Sequence, residues 1–219
     1  MGNMIELSAA DGFRPAAYLA EPTGKPRGGL VVIQEIFGLT RHIRALADQY
    51  AAQGYLSVAP GIFDRIERNV DVPYSDMARG YAYMQKTHLA QVMLDIDAGV
   101  ARVRGAGKVG VVGYCWGGML AYLAAARLKV DAAIAYYGGG IDKHLDEKPR
   151  VPVLFHYGEK DTHIPLATVD KVRAAVPGAT FHLYPAEHGF NCTDRASYEP
   201  KSAQLAFQRS LEFLHRHVG

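Results

Sequence analysis

The stretch Lys108-Val109-Gly110-Val111-Val112-Gly113-Tyr114-Cys115-Trp116-Gly117-Gly118-Met119-Leu120-Ala121-Tyr122-Leu123-Ala124 decides the fold. A β-branched run ends in Gly-x-Cys-x-Gly and passes directly into an Ala/Leu-rich segment, which reads as a buried strand, a sharp turn and a helix. Cys115 stands at the turn, held in a strained backbone conformation with its side chain lifted above the carboxyl end of the sheet. Gly113 and Gly117 fit because side chains two positions either side would collide across so tight a turn. The partial positive charge of the new helix's N-terminus favours thiolate over thiol at this position. Taken alone, the motif also suits a cysteine that only fills space between strand and helix, as most free cysteines do.

The surrounding chain supplies the architecture. Residues 4–7 and 13–20 flank Asp11-Gly12, a hairpin signal, so an antiparallel pair opens the fold. A Gly/Pro-rich loop follows, then the buried strand Leu30-Val31-Val32-Ile33, an amphipathic helix over residues 42–53 and a short strand over 55–59. Residues 62–74 are charged and irregular and read as a surface loop. Helical patterns cover residues 75–87, 89–104 and 116–128. Strands over residues 131–136, 151–157 and 180–184 then alternate with helices over 166–175 and 197–217. Such alternation specifies crossover units and a mostly parallel central sheet with helices on both faces. All of it, residues 1–219, reads as a single α/β domain without internal repeats.

Composition narrows the function. With 219 residues and 49% hydrophobic content the chain buries a core without staples. A net charge of +2, mixed in sign along the chain, offers no basic stripe for nucleic acid. No apolar run approaches the ~20 residues of a membrane span, and the amino terminus lacks a secretory pattern. Only Cys115 and Cys192 could pair, and a bridge would consume the thiol at the turn. A cytoplasmic, reducing location is expected, with a small molecule as partner and neither membrane nor nucleic acid. No His/Cys/Asp cluster has metal-site spacing, and no cofactor is expected.

In an open α/β sheet, active groups collect on the loops at the carboxyl ends of the strands. After the strand ending at Tyr157 comes Gly158-Glu159-Lys160-Asp161, and after the strand ending at Tyr184 comes Pro185-Ala186-Glu187-His188-Gly189-Phe190. Singly, Asp161 also suits a turn or cap and His188 a loop histidine. Cys115, Asp161 and His188 nevertheless follow the order nucleophile, acid, histidine of the α/β-hydrolases, each after its own strand. In that reading His188 takes the thiol proton, Asp161 holds the imidazole tautomer, and the sulfur attacks an acyl carbon. Glu35 ends the run Leu30-Val31-Val32-Ile33-Gln34, where a carboxylate costs several kcal/mol unless paired, so a salt bridge or cap also suits it. Its loop is where such folds provide one oxyanion-hole N–H, here from Ile36, the other coming from Trp116.

With these residues in view the chain resembles the dienelactone hydrolase family. The likeness covers nearly the whole length and rests on Gln34-Glu35-Ile36-Phe37-Gly38, Gly113-Tyr114-Cys115-Trp116-Gly117-Gly118, Tyr136-Tyr137-Gly138, Gly158-Glu159-Lys160-Asp161 and His188-Gly189-Phe190. It implies an α/β-hydrolase fold and a hydrolase of carboxymethylenebutenolide type, opening an enol-lactone in the catabolism of aromatic compounds. It also implies Cys115, Asp161 and His188 as triad, with Glu35 keeping the resting thiol neutral until substrate moves the carboxylate. Founding members place an Arg four residues after the catalytic His to hold a substrate carboxylate; that position here is Cys192. A second family Arg aligns loosely with Arg79, and Phe37 and Tyr137 are expected to border the substrate. The chain is expected as monomer or dimer.

Two other readings remain. One is a general short-chain carboxylesterase or thioesterase. The other is a non-hydrolytic redox sensor in which Cys192 resolves an oxidised Cys115 as a disulfide; an ordered acid–histidine pair and an oxyanion hole have no use in it.

Overall fold

The apolar runs become the strands of one eight-stranded sheet in a computed structural model that describes all 219 residues. In chain order these are β1 (Asn3–Glu6), β2 (Ala16–Ala20), β3 (Gly28–Ile33), β4 (Tyr55–Pro60), β5 (Val109–Tyr114), β6 (Ala132–Tyr136), β7 (Val153–Gly158) and β8 (Thr180–Tyr184). The helices are α1 (Arg41–Ala52), α2 (Met77–Lys86), α3 (Leu89–Val103), α4 (Trp116–Arg127), α5 (Leu166–Ala175) and α6 (Pro200–His217). Strand order across the sheet is β1-β2-β4-β3-β5-β6-β7-β8. β1 and β2 form the expected antiparallel pair, and β2 joins β4 antiparallel. From β4 to β8 every pairing is parallel, as the strand–helix alternation requires.

β5 lies between β3 and β6 with all of its residues buried. That double burial is why Val109, Val111 and Val112 stand in a continuous run rather than an alternating one. α4 is apolar around most of its circumference and is accordingly buried over nearly its whole length. α6 begins at Pro200, later than the apolar pattern suggests. The Glu199 side chain accepts from the Lys201 and Ser202 amides, and proline occupies the first helical turn, so the start is set by capping.

Residues 62–74 differ from the surface loop expected of them. Ile62, Phe63, Val70 and Val72 are buried, and Phe63 stacks on Trp116 at 5.6 Å and on Tyr83 at 5.4 Å. Two of its charged residues, Asp64 and Arg65, turn inward, while Glu67, Arg68 and Asp71 stay exposed. Asp64 accepts from the Ala16 amide at 2.7 Å, and Arg65 binds Asp95 through two nitrogens at 2.8 Å and Asp11 at 2.7 Å. Fork-shaped pairing of this kind fixes a loop in one geometry, and here the loop forms a wall beside the turn at Cys115. None of the helices is long and apolar enough to cross a membrane.

Candidate active site

Cys115 follows β5 with φ 56° and ψ −120°, a left-handed-side conformation that a non-glycine residue adopts only under constraint. The constraint is close packing around the turn. A Cβ on Gly113 would fall 1.8 Å from the Gly117 carbonyl oxygen, and one on Gly117 would fall 2.4 Å from that of Gln34. Cys115 is tied to the neighbouring strand by its amide, which donates to the Tyr136 carbonyl at 3.0 Å.

The structure brings the three ordered residues together. His188 Nε2 lies 3.1 Å from Cys115 Sγ, and His188 Nδ1 lies 2.7 Å from Asp161 Oδ2. Asp161 Oδ1 is occupied separately, accepting from the amides of His163 at 2.8 Å and Ile164 at 3.0 Å. A carboxylate so held cannot rotate away from the imidazole. Burial opposes charge on His188, but Cys115 and Asp161 outweigh it and carry the imidazole up to about 10. The geometry therefore favours a charged imidazole beside the sulfur.

Ile36 and Trp116 line the same cavity as Cys115, and neither backbone N–H donates to an acceptor in the chain. Two unoccupied amides beside a nucleophile form a receptor for oxygen that gains negative charge. Both residues, with Phe37, line a cavity of about 510 Å³ that opens over Cys115 and His188.

Glu35 lies behind this cavity and is fully buried, and no hydrogen bond reaches either carboxylate oxygen. Burial pushes its carboxyl up, while Arg195 and His188 pull it back down. The thiol of Cys115 is turned to His188 and makes no hydrogen bond to Glu35, so the contact implied for a resting thiol is not the one formed. Its neighbour instead is Arg195, with Nη1 3.7 Å from Oε1. Arg195 was missed from sequence. It lies seven residues past His188, lines the cavity and packs its guanidinium 5.8 Å over the Phe37 ring. Arg79 does not reach the cavity: it is exposed on α2 with its guanidinium 5.7 Å over the Tyr83 ring. Tyr137 is buried behind His188, ring centroids 5.1 Å apart, and does not line the cavity either. Cys192, at the position where an Arg was expected, is wholly buried, and burial and Glu35 push its thiol up to about 12.

The model of the dienelactone hydrolase family matches residues 16–218. The chain belongs to the dienelactone hydrolase family. Among relatives of this family, the carboxymethylenebutenolidase of Pseudomonas putida is 34% identical, covering 96% of this chain and 94% of its own. Carboxymethylenebutenolidase 1 of Cupriavidus pinatubonensis is 30% identical over 96% of this chain and 95% of its own. A crystal structure from Klebsiella pneumoniae subsp. pneumoniae MGH 78578 that carries the dienelactone hydrolase name superposes with a TM-score of 0.86 at 31% identity, covering 99% and 100% of the two chains. The fold is thus the α/β-hydrolase fold of the dienelactone hydrolases, and the protein is a hydrolase.

Proposed function

We propose that the protein hydrolyses a small lactone or ester, of carboxymethylenebutenolide type, through an acyl-enzyme on Cys115. The observation that carries this reading is the hydrogen-bonded chain of Cys115 Sγ, His188 and Asp161, at 3.1 Å and 2.7 Å, whose cysteine and histidine line the cavity. The sulfur, its proton held on His188, attacks the carbonyl carbon. A C–S bond forms, and the displaced electron pair goes to the carbonyl oxygen, which accepts from the Ile36 and Trp116 amides. Collapse of this adduct breaks the bond to the ring or alkoxy oxygen, and that oxygen takes the proton from His188. Water then attacks the thioester while His188 removes its proton. The second collapse releases the acid and returns sulfur and imidazolium to their paired state. Atoms balance as ester plus water giving acid plus alcohol, or a single hydroxy- or oxo-acid from a lactone.

Arg195 would supply the cation that Cys192 cannot. Its guanidinium packs over Phe37 and approaches Glu35 at 3.7 Å with no hydrogen bond between them, which leaves its planar donors for a substrate carboxylate. The redox reading is disfavoured by Cys192 itself, because a resolving thiol must reach the thiolate state and this one is buried and held protonated. Turnover of a dienelactone by purified Cys115→Ala is the test. Activity should fall on the order of 10⁴-fold or more with the circular dichroism spectrum unchanged, and a variant retaining most activity would remove Cys115 as nucleophile.

A further inference from the structure

The cavity is larger than a dienelactone requires. A carboxymethylenebutenolide has about ten non-hydrogen atoms, whereas cavities of ~300–1,000 Å³ hold drug-sized ligands, and this one measures about 510 Å³. Sheet order divides it. β5, carrying Cys115, has β3 on one side and β6 then β7 on the other. On the β3 side lie Phe37 and Arg195. On the β6–β7 side the inner wall is Met119, Gly139 and Ile164, with no carboxylate, while the exposed Lys143 and His163 and the half-buried His144 also border the cavity from these loops, and α2 closes it with Met77, Tyr81 and Met84. α2 itself buries only Gly80 and Tyr83, so its two methionines are left half-buried toward this space and Tyr81 stays 43% exposed. Thioether side chains adapt to apolar groups of varied shape and do not hydrogen-bond them.

We propose that the β6–β7 side is an apolar subsite for an extended alkyl or aryl group, so that the preferred substrate is an acidic ester whose carboxylate and apolar arm lie on opposite sides of the scissile carbonyl. The inference rests on the ester-hydrolase reading above and adds the arm that a compact lactone lacks. Gly139 is where the subsite is open. A Cβ there meets only Ile164, at an ordinary 3.7 Å, and the backbone is not in a left-handed conformation, so a larger residue is accommodated without strain and would occupy the subsite.

Monomethyl, monobutyl and monohexyl succinate test this, because the acyl part and its carboxylate stay fixed while alcohols of similar leaving ability grow. A methylene fully removed from water is worth about a three- to fourfold gain, so a half-buried chain gives roughly a tenfold rise in kcat/KM from methyl to butyl. In Gly139→Val the butyl-to-methyl ratio should drop toward one, with the melting temperature as the control for folding. Met119→Gln, which keeps length and adds polarity, should lower the same ratio several-fold. A flat wild-type series in which monomethyl succinate is still cleaved in a Cys115-dependent way would overturn the subsite and leave the hydrolase reading standing. A ratio unchanged in both variants would overturn its placement. Failure to cleave any of the esters, or a dienelactone, would overturn both readings.

Discussion

Replacing Arg195 with Met removes the one arginine paired with the fully buried Glu35 while keeping most of the side chain's apolar bulk. At the observed 3.7 Å, two unit charges attract by about 4 kcal/mol at an effective dielectric of ~20. Removing one partner of a buried pair costs ~3–5 kcal/mol because the other charge stays desolvated. Glu35 escapes part of that loss by keeping a proton. Burial already raises its carboxyl above the ordinary 4.5, and Arg195 is the chief group pulling it back. A carboxyl raised in the folded state binds its proton where the unfolded chain has lost it, so its contribution is present below 4.5 and is lost as pH rises through the folded value. Without Arg195 that folded value rises further, and the variant should lose more stability at pH 8 than at pH 5. Urea unfolding at both pH values measures the difference, and Glu35→Gln placed on the Arg195→Met background should recover most of the loss at pH 8. A cost under about 1 kcal/mol at both pH values, or no recovery in the double variant, would refute the pairing as the reason Glu35 is tolerated.

Arg195→Met should also raise KM for a carboxylate-bearing lactone and spare a neutral ester, whereas Arg79→Ala should leave the ratio of the two unchanged; steady-state kinetics on both substrates checks this, and the reverse pattern would return the anion site to α2. His188, carried to about 10 by Cys115 and Asp161 against burial, should keep its proton across neutral pH. The stabilisation from that charged pair is full below the ordinary 6.5 and is lost as pH climbs through about 10, so kcat/KM should fall on an alkaline limb there. Asp161→Asn should cut kcat by roughly 10⁴-fold and shift the limb to lower pH, and a limb that does not move would separate Asp161 from the imidazole's charge.

The turn at Cys115 was legible because its constraints are local: the glycines that admit it lie within the motif, and the strand and helix beside it announce themselves by composition. Asp161 and His188 were legible because the loops after β7 and β8 place them, and sheet order converts chain order into proximity. Arg195 was not. Spacing from His188 pointed to position 192, but the loop after His188 makes a turn, with the Cys192 amide donating to Gly189 and the Arg195 amide to Cys192, which carries the cation to a later position. Nor was the packing of residues 62–74 legible, since the many charges mask four apolar residues, and the carboxylates that neutralise Arg65 lie 54 positions before it and 30 after it. α2 as the roof of the cavity is a tertiary property as well, fixed by where Gly80 and Tyr83 anchor the helix.

The central claim is a covalent bond to one sulfur. Wild-type protein mixed with p-nitrophenyl acetate, quenched in acid within a single turnover and digested, should yield the peptide containing Cys115 with one added acetyl group, and the amount should match the burst of nitrophenol. The peptide containing Cys192 should be unmodified. Turnover with no acetyl on Cys115, or with the acetyl on another residue in stoichiometric amount, would contradict the account.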